Sequence, residues 1–136
     1  MTDLRDQLEQ RVQNFIQDRY VWETFVADNF ELFLDKKNDT DFAERYRALI
    51  DKYCAAGKVH QGLALSSVVD HTPAEEHIVK FECSDNRAIV FTEIRHTSES
   101  KLGWVSPHEF EFKKSGNDWF LEEVYFNDGS GRYECL

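Results

Sequence analysis

Residues 104–128 constrain the fold more than any other part of this chain. In the first half of the stretch, aromatic and charged residues alternate. One face carries Phe110 and Phe112, and the other carries Glu109, Glu111 and Lys113. Successive side chains of a strand point to opposite faces, so this alternation predicts a half-buried antiparallel strand. The short polar loop at 114–118 contains glycine and predicts a hairpin connection to a second strand.

The second strand of this hairpin, at 119–126, has apolar residues on both of its faces. Phe120, Val124 and Phe126 share one face with Glu122, and Trp119, Leu121 and Tyr125 share the other with Glu123. A strand that is apolar on both sides is expected inside a sheet with a covering layer on each face. We therefore expect the hairpin near the centre of the sheet, with Phe112 and Trp119 buried.

Upstream of the hairpin, the pattern changes from helical to extended. Apolar residues at helical spacing predict a helix to about Gln17 and a second to about Leu34, with one long helix as the alternative because no Gly or Pro intervenes. Thr40 or Asp41 begins a third helix, and Gly57 ends it. Strands are predicted at 62–69, 78–83 and 87–97 before the hairpin, and the tail allows a short edge strand after it.

The length and composition favour one well-packed domain that spans residues 1–136. Apolar residues make up 41% of the chain, and eleven of its 136 residues are Phe. This is enough apolar material for a core, and 136 residues are too few for two comfortable domains. Helices followed by a run of antiparallel strands predict an α+β domain with helices packed on one face of a sheet.

The charge and the cysteines restrict the class of partner and the compartment. A net charge of −10 argues against nucleic acid as a direct ligand, because phosphate binding needs a basic surface, and it suits a basic partner. Cys54, Cys83 and Cys135 lie far apart, without the spacing of a metal site, and are expected as reduced thiols. With no apolar leader or membrane span, we expect a cytoplasmic protein.

Motifs along nearly the whole chain resemble those of bacterial immunity proteins with an NTF2-like fold, which belong to polymorphic toxin systems. The matching segments are Tyr20–Glu23, Lys52–Cys54, Pro73–Ile78, Ala88–Thr92, Phe110–Lys114 with Gly116 and Trp119 after it, and Gly131–Glu134. The resemblance implies an NTF2-like cone, in which about three N-terminal helices pack on one strongly curved antiparallel sheet. It also implies a protein that binds and neutralises a cognate toxin by stoichiometric occlusion.

Two other functions remain open at this stage. NTF2-like cones also hold small-molecule isomerases and lyases, and such sheets often pair into homodimers. For an enzyme, His96 near Glu93 and His108 near Glu109 are the candidate bases, although a lone strand histidine is more often a cross-strand polar contact. A metal site built from Asp70, His71 and His77 matches no ligand pattern. We expect no catalytic group, cofactor or metal.

The hairpin supplies the candidate partner-binding residues. Glu109, Glu111 and Glu123 fall on adjacent strands and could form a negative patch that speeds encounter with a basic toxin domain, although a solvated outer face is the commoner role of such residues. Trp104, Tyr125 and Tyr133 are candidate aromatic anchors, the residue type that dominates binding energy at interfaces.

Overall fold

The computed structural model describes residues 3–29, 31, 40–55, 58, 73–97, 103–127, 129–134 and 136. In chain order, its elements are α1 (Leu4–Asp28), α2 (Thr40–Tyr53), β1 (Glu76–Cys83), β2 (Arg87–Arg95), β3 (Val105–Ser115), β4 (Asp118–Asn127) and β5 (Arg132–Glu134). The strands form one antiparallel sheet in the order β1-β2-β3-β4-β5. The α+β class is confirmed. The strand predicted at 62–69 lies outside the described residues.

The first helical region forms one continuous helix, α1. This was the alternative prediction, and the break expected near Gln17 does not occur. Asp3 caps its start by accepting the N–H of Asp6 at 2.8 Å. Its buried side chains recur every three or four residues: Leu8, Val12, Phe15, Trp22 and Val26. At the other end, the Asn29 side chain donates to the carbonyl of Phe25 at 2.8 Å. The described residues therefore contain two helices. The helix end that was predicted near Leu34 lies outside the described residues.

An aromatic contact joins both helices to the sheet. The ring of Phe15 on α1 meets Tyr53 of α2 edge-on at 5.3 Å and Phe110 of β3 edge-on at 5.9 Å. Tyr53 also donates its hydroxyl to Asp18 of α1. Burial raises the pKa of Asp18, but hydrogen bonds from Lys52 and Tyr53 outweigh it and hold that pKa below its usual value.

The β3–β4 hairpin forms as the alternation predicts, with β3 as the central strand of the sheet. Phe110 and Phe112 face the helices and are buried, whereas Trp119 is only partly buried against the core. The turn is tighter than the predicted loop at 114–118, because Ser115 pairs with Asp118 and leaves Gly116 and Asn117 between them. Gly116 has φ +63°, the conformation that such a two-residue turn requires at its first position.

A β-bulge in β4 overturns the predicted division of that strand into two faces. Glu111 pairs with Glu123, but the next residue, Phe112, pairs with Leu121, so Glu122 is an extra residue with no partner on β3. The extra residue resets the alternation. Leu121 and Val124, predicted on opposite faces, therefore both lie in the core.

The described cysteines are free thiols, as predicted for them. Cys54 is buried and Cys83 is exposed. Burial raises the pKa of the Cys54 thiol to about 11. No helix among the described residues is long and apolar enough to cross a membrane.

Because Phe112 is buried in the core, truncating its side chain should strongly destabilise the fold. We expect Phe112→Ala to lower the free energy of unfolding by about 3–5 kcal/mol, because it removes a buried ring and leaves a cavity. Lys113→Ala, one residue along and exposed, is the matched control and should change it by less than about 0.5 kcal/mol. Urea unfolding followed by circular dichroism measures both. Equal effects of the two substitutions would contradict this placement of Phe112.

Candidate interaction site on the outer face of the sheet

The sheet has an outer face, defined here as the face opposite the helices. It carries Phe91 of β2, Glu109 and Glu111 of β3, and Tyr125 of β4. Cross-strand register places Phe91 and Tyr125 on either side of Glu109, so these three side chains form one row across the sheet. The two glutamates occupy the face that the sequence predicted for them.

Glu109 and Glu111 are nevertheless not free surface carboxylates, and the expected negative patch is wrong in this respect. Their exposed fractions are only 8% and 7%. Arg132 of β5 places Nη2 2.9 Å from Glu109 and 3.5 Å from Glu111. Arg87 of β2 donates to Glu111 at 2.9 Å, and Asn127 donates to Glu109 at 2.9 Å. The reason lies in the sheet: Arg87 comes from β2, next to β3, and Arg132 reaches the acidic pair from β5 across β4.

Glu123 is also buried, away from any solvated rim. Its Oε2 accepts the backbone N–H groups of Val124 and Leu136, both at 2.9 Å. Lys58 lies 3.6 Å from its other oxygen. This carboxylate therefore serves a structural role, because it holds the residue at position 136 against the sheet.

The three aromatic candidates differ in accessibility. Trp104 and Tyr133 have exposed fractions of 63% and 52%, as an anchor for a partner requires. Tyr125 is partly buried beneath Arg132, whose guanidinium lies 3.9 Å from the centre of its ring. Burial and the neighbouring Glu111 carboxylate raise the pKa of Tyr125.

An open groove of about 620 Å³, called here the outer groove, borders these residues. It is lined by Val79, Lys80, Phe91, Thr92, Glu93, Val105, Pro107, His108, Glu109, Phe126, Asn127 and Gly129. Val79 and Val105 are among its exposed apolar members, and Trp104 directly precedes Val105. Tyr133 stacks on Phe126, which also lines the groove.

A second, much smaller cavity of about 60 Å³ lies between α1 and the sheet. It is lined mainly by apolar side chains, with four ionisable residues: Arg19, Glu23, Glu76 and His108. Arg19 and Glu23 pair at 3.1 Å, and Thr92 donates its hydroxyl to Glu76. Burial raises the pKa of Glu76, against the effect of that hydrogen bond. One water needs about 10–15 Å³ on this scale, so the cavity has room for only a few waters.

The candidate histidine–carboxylate pairs do not form. Consecutive strand residues point to opposite faces, so His108 and Glu109 are separated by the sheet, and Glu109 is held by Arg132 and Asn127. Glu93 lies 3.6 Å from Arg95. His96 instead contacts the Ser106 hydroxyl at 2.8 Å, which is the cross-strand polar contact weighed as its alternative.

The described residues contain no cluster of three or more His, Cys, Asp or Glu side chains placed to hold a metal ion. Of the residues considered for a metal site, Asp70 and His71 lie outside the described part of the chain.

Sequence reasoning did not single out the arginines of the outer face or the acid of the inner cavity. Arg132 and Glu76 lie in segments that were noted only for the family resemblance, and Arg87 lies at the start of a predicted strand. The one usable signal was the pair Glu109 and Glu111: carboxylates on a strand flanked by other strands need cationic partners if they are to be buried.

Comparisons with known proteins identify no relative. No family model, no curated protein and no solved structure matches the chain.

The partly buried Glu76 predicts a pH-dependent stability. A carboxyl whose pKa is raised in the folded state costs no stability below its ordinary pKa, where the folded and unfolded states are both protonated. The cost grows as pH rises from the ordinary pKa to the folded-state pKa and is complete above it. We therefore expect Glu76→Gln, which cannot ionise and can still accept from Thr92, to be more stable than the parent at neutral pH. The difference should shrink towards pH 4.

Urea unfolding of both proteins at the two pH values measures this effect. Glu82→Gln is the matched control, because Glu82 lies on the same strand and is exposed. A Glu76→Gln gain that stays the same at both pH values would show that ionisation is not its cause.

Proposed function

We propose that this chain is an immunity protein of NTF2-like fold that neutralises a toxin protein by binding it stoichiometrically through the outer groove. The observation that carries the proposal is the grouping of exposed apolar side chains. The described residues include five large hydrophobic side chains that are exposed, and two of them, Val79 and Val105, line the groove together with Phe91.

Grouped exposure of this kind is what a docking surface requires. Scattered apolar residues are normal on any surface, whereas a contiguous group rimmed by polar residues marks an interaction site. The exposed polar rim is present here, with the charged groups of Lys80 and Arg132 on either side. Aromatic side chains such as Trp104 and Tyr133 supply large contact area and dominate the binding energy at interfaces.

Occlusion explains how such a surface could work without chemistry of its own. A stoichiometric inhibitor has only to cover the toxin's active surface, so binding energy is sufficient. The net charge of −10 supports a basic partner at long range, because a charged surface speeds diffusional encounter. The motif resemblance described above points to the same class of protein.

The small size of the inner cavity favours binding over small-molecule catalysis between the helices and the sheet. Pockets for small ligands usually measure about 300–1,000 Å³ and enclose most of the ligand. The inner cavity, where an NTF2-like enzyme would hold its substrate, has only about 60 Å³. The outer groove has the volume but lies open on the sheet, which suits a protein partner.

The neighbouring gene and the partner it encodes provide the test. We expect a gene for a polymorphic toxin beside that of this chain, and co-expression of this protein should restore growth of cells that make the toxin domain. A biosynthetic operon in that place would contradict the proposal. So would the absence of any complex between the two purified proteins in calorimetry.

Trp104→Ala should weaken this complex by about 2 kcal/mol or more, the effect of removing an interface anchor. Val21→Ala is the matched control, because Val21 is similarly exposed but lies on α1, away from the groove. Calorimetric titration of the toxin domain measures both, and thermal melts check that each variant is folded. Equal affinities of the two variants would exclude Trp104 as an anchor of the complex.

A further inference from the structure

The arginine–glutamate network of the outer face leaves its cations, and not its anions, available to a partner. Both oxygens of each carboxylate are occupied. Glu109 is bound by Arg132 and Asn127, and Glu111 by Arg87 and Arg132, at 2.9–3.5 Å. A cationic side chain of a partner would have to break one of these contacts inside a nearly buried site, which is costly.

The two arginines, in contrast, are accessible to solvent. The side chain of Arg132 is 42% exposed and that of Arg87 is 54% exposed. Arg132 contacts both carboxylates through Nη2, and a guanidinium carries five N–H donors. Arg87 donates from Nη1 to Glu111, and its Nη2 lies 3.9 Å from Glu122, beyond hydrogen-bond distance. Donors therefore remain on the exposed side of the network.

Both guanidiniums are held in place before any partner arrives. Glu111 joins them, because one of its oxygens contacts Arg87 and the other contacts Arg132. The ring of Tyr125 supports Arg132 from below at 3.9 Å. Fixing a long side chain in advance lowers the entropic cost of binding, and a planar guanidinium matches the two oxygens of a carboxylate.

An acidic ligand would be held here by directed donors and not by net charge. Arg87 also lies 3.9 Å from Glu122, so the two arginines and three glutamates of the network carry a net charge of −1. An approaching carboxylate would be bound by the N–H groups of two exposed guanidiniums, whose planar fork matches its two oxygens. Glu109 and Asn127, both in contact with the network, also line the outer groove. A group bound by the arginines would therefore lie beside the aromatic and apolar contacts of the groove.

We propose that Arg132 and Arg87 form a receptor for a carboxylate side chain of the protein partner, an Asp or Glu that docks beside the outer groove. The inference rests on the proposed function for the identity of the partner, but its chemistry can be tested without it. The long-range attraction of a basic partner is compatible with this site, because steering depends on the total charge and recognition on one local contact.

The first arm of the test uses a small probe in place of the toxin. Blocked glutamate, N-acetylglutamate N-methylamide, is titrated at millimolar concentration and constant ionic strength into the ¹⁵N-labelled protein. The Nε–Hε resonances of Arg132 and Arg87 should shift with saturation, and those of Arg95, another exposed arginine of the sheet, should not. Blocked glutamine is the matched neutral probe and should cause no such shift. Equal responses to the two probes, or none at Arg132, would overturn the proposal.

The second arm measures binding of the toxin domain to Arg132→Lys, Arg87→Lys and the control Arg95→Lys. Lysine keeps the charge and loses the planar fork, so we expect each of the first two substitutions to weaken binding about tenfold and the control to leave it unchanged. Thermal melts separate this from unfolding. If the parent protein binds the blocked glutamate but no toxin, the immunity role fails and the carboxylate site stands. If the parent binds the toxin and both lysine variants bind equally well, the carboxylate site fails.

Discussion

The edge-on packing of Phe15 between Tyr53 and Phe110 is the contact on which the rest of the structure depends. It joins α2 to α1 and α1 to the central strand, so one buried ring links three elements from distant parts of the chain. Aromatic rings bury large apolar areas and prefer this edge-to-face geometry. Both described helices are thereby held on one face of the sheet.

The outer face shows how burial determines which charges a surface presents. Carboxylates at Glu109 and Glu111 cannot be taken out of water alone, and Arg87 of β2 and Arg132 of β5 neutralise them. The carboxylates are nearly buried, whereas the two guanidiniums that cover them are partly exposed. Residues that appear as an acidic patch in the sequence therefore lie beneath cationic groups in the folded sheet.

Part of the candidate site was predictable from local pattern. The outward direction of Glu109 and Glu111 follows from their alternation with Phe110 and Phe112 within one strand. The pairing of those glutamates, and the separation of His108 from Glu109 by the sheet, depend on strand geometry and cross-strand neighbours. Proximity in sequence suggested a histidine–carboxylate pair, but adjacent strand residues point apart.

The sequence by itself determined the α+β class, the extents of most strands and the position of the hairpin connection within 114–118, because each follows from a short-range period or from local turn residues. Only the tertiary structure decided that Leu121 and Val124 share one face, since the bulge at Glu122 arises from the register of β3 against β4. It likewise decided which cation meets which carboxylate, because Arg87, Glu111 and Arg132 are brought together only when three strands align. Such contacts depend on packing between segments far apart in the chain, and no local pattern of residues encodes them.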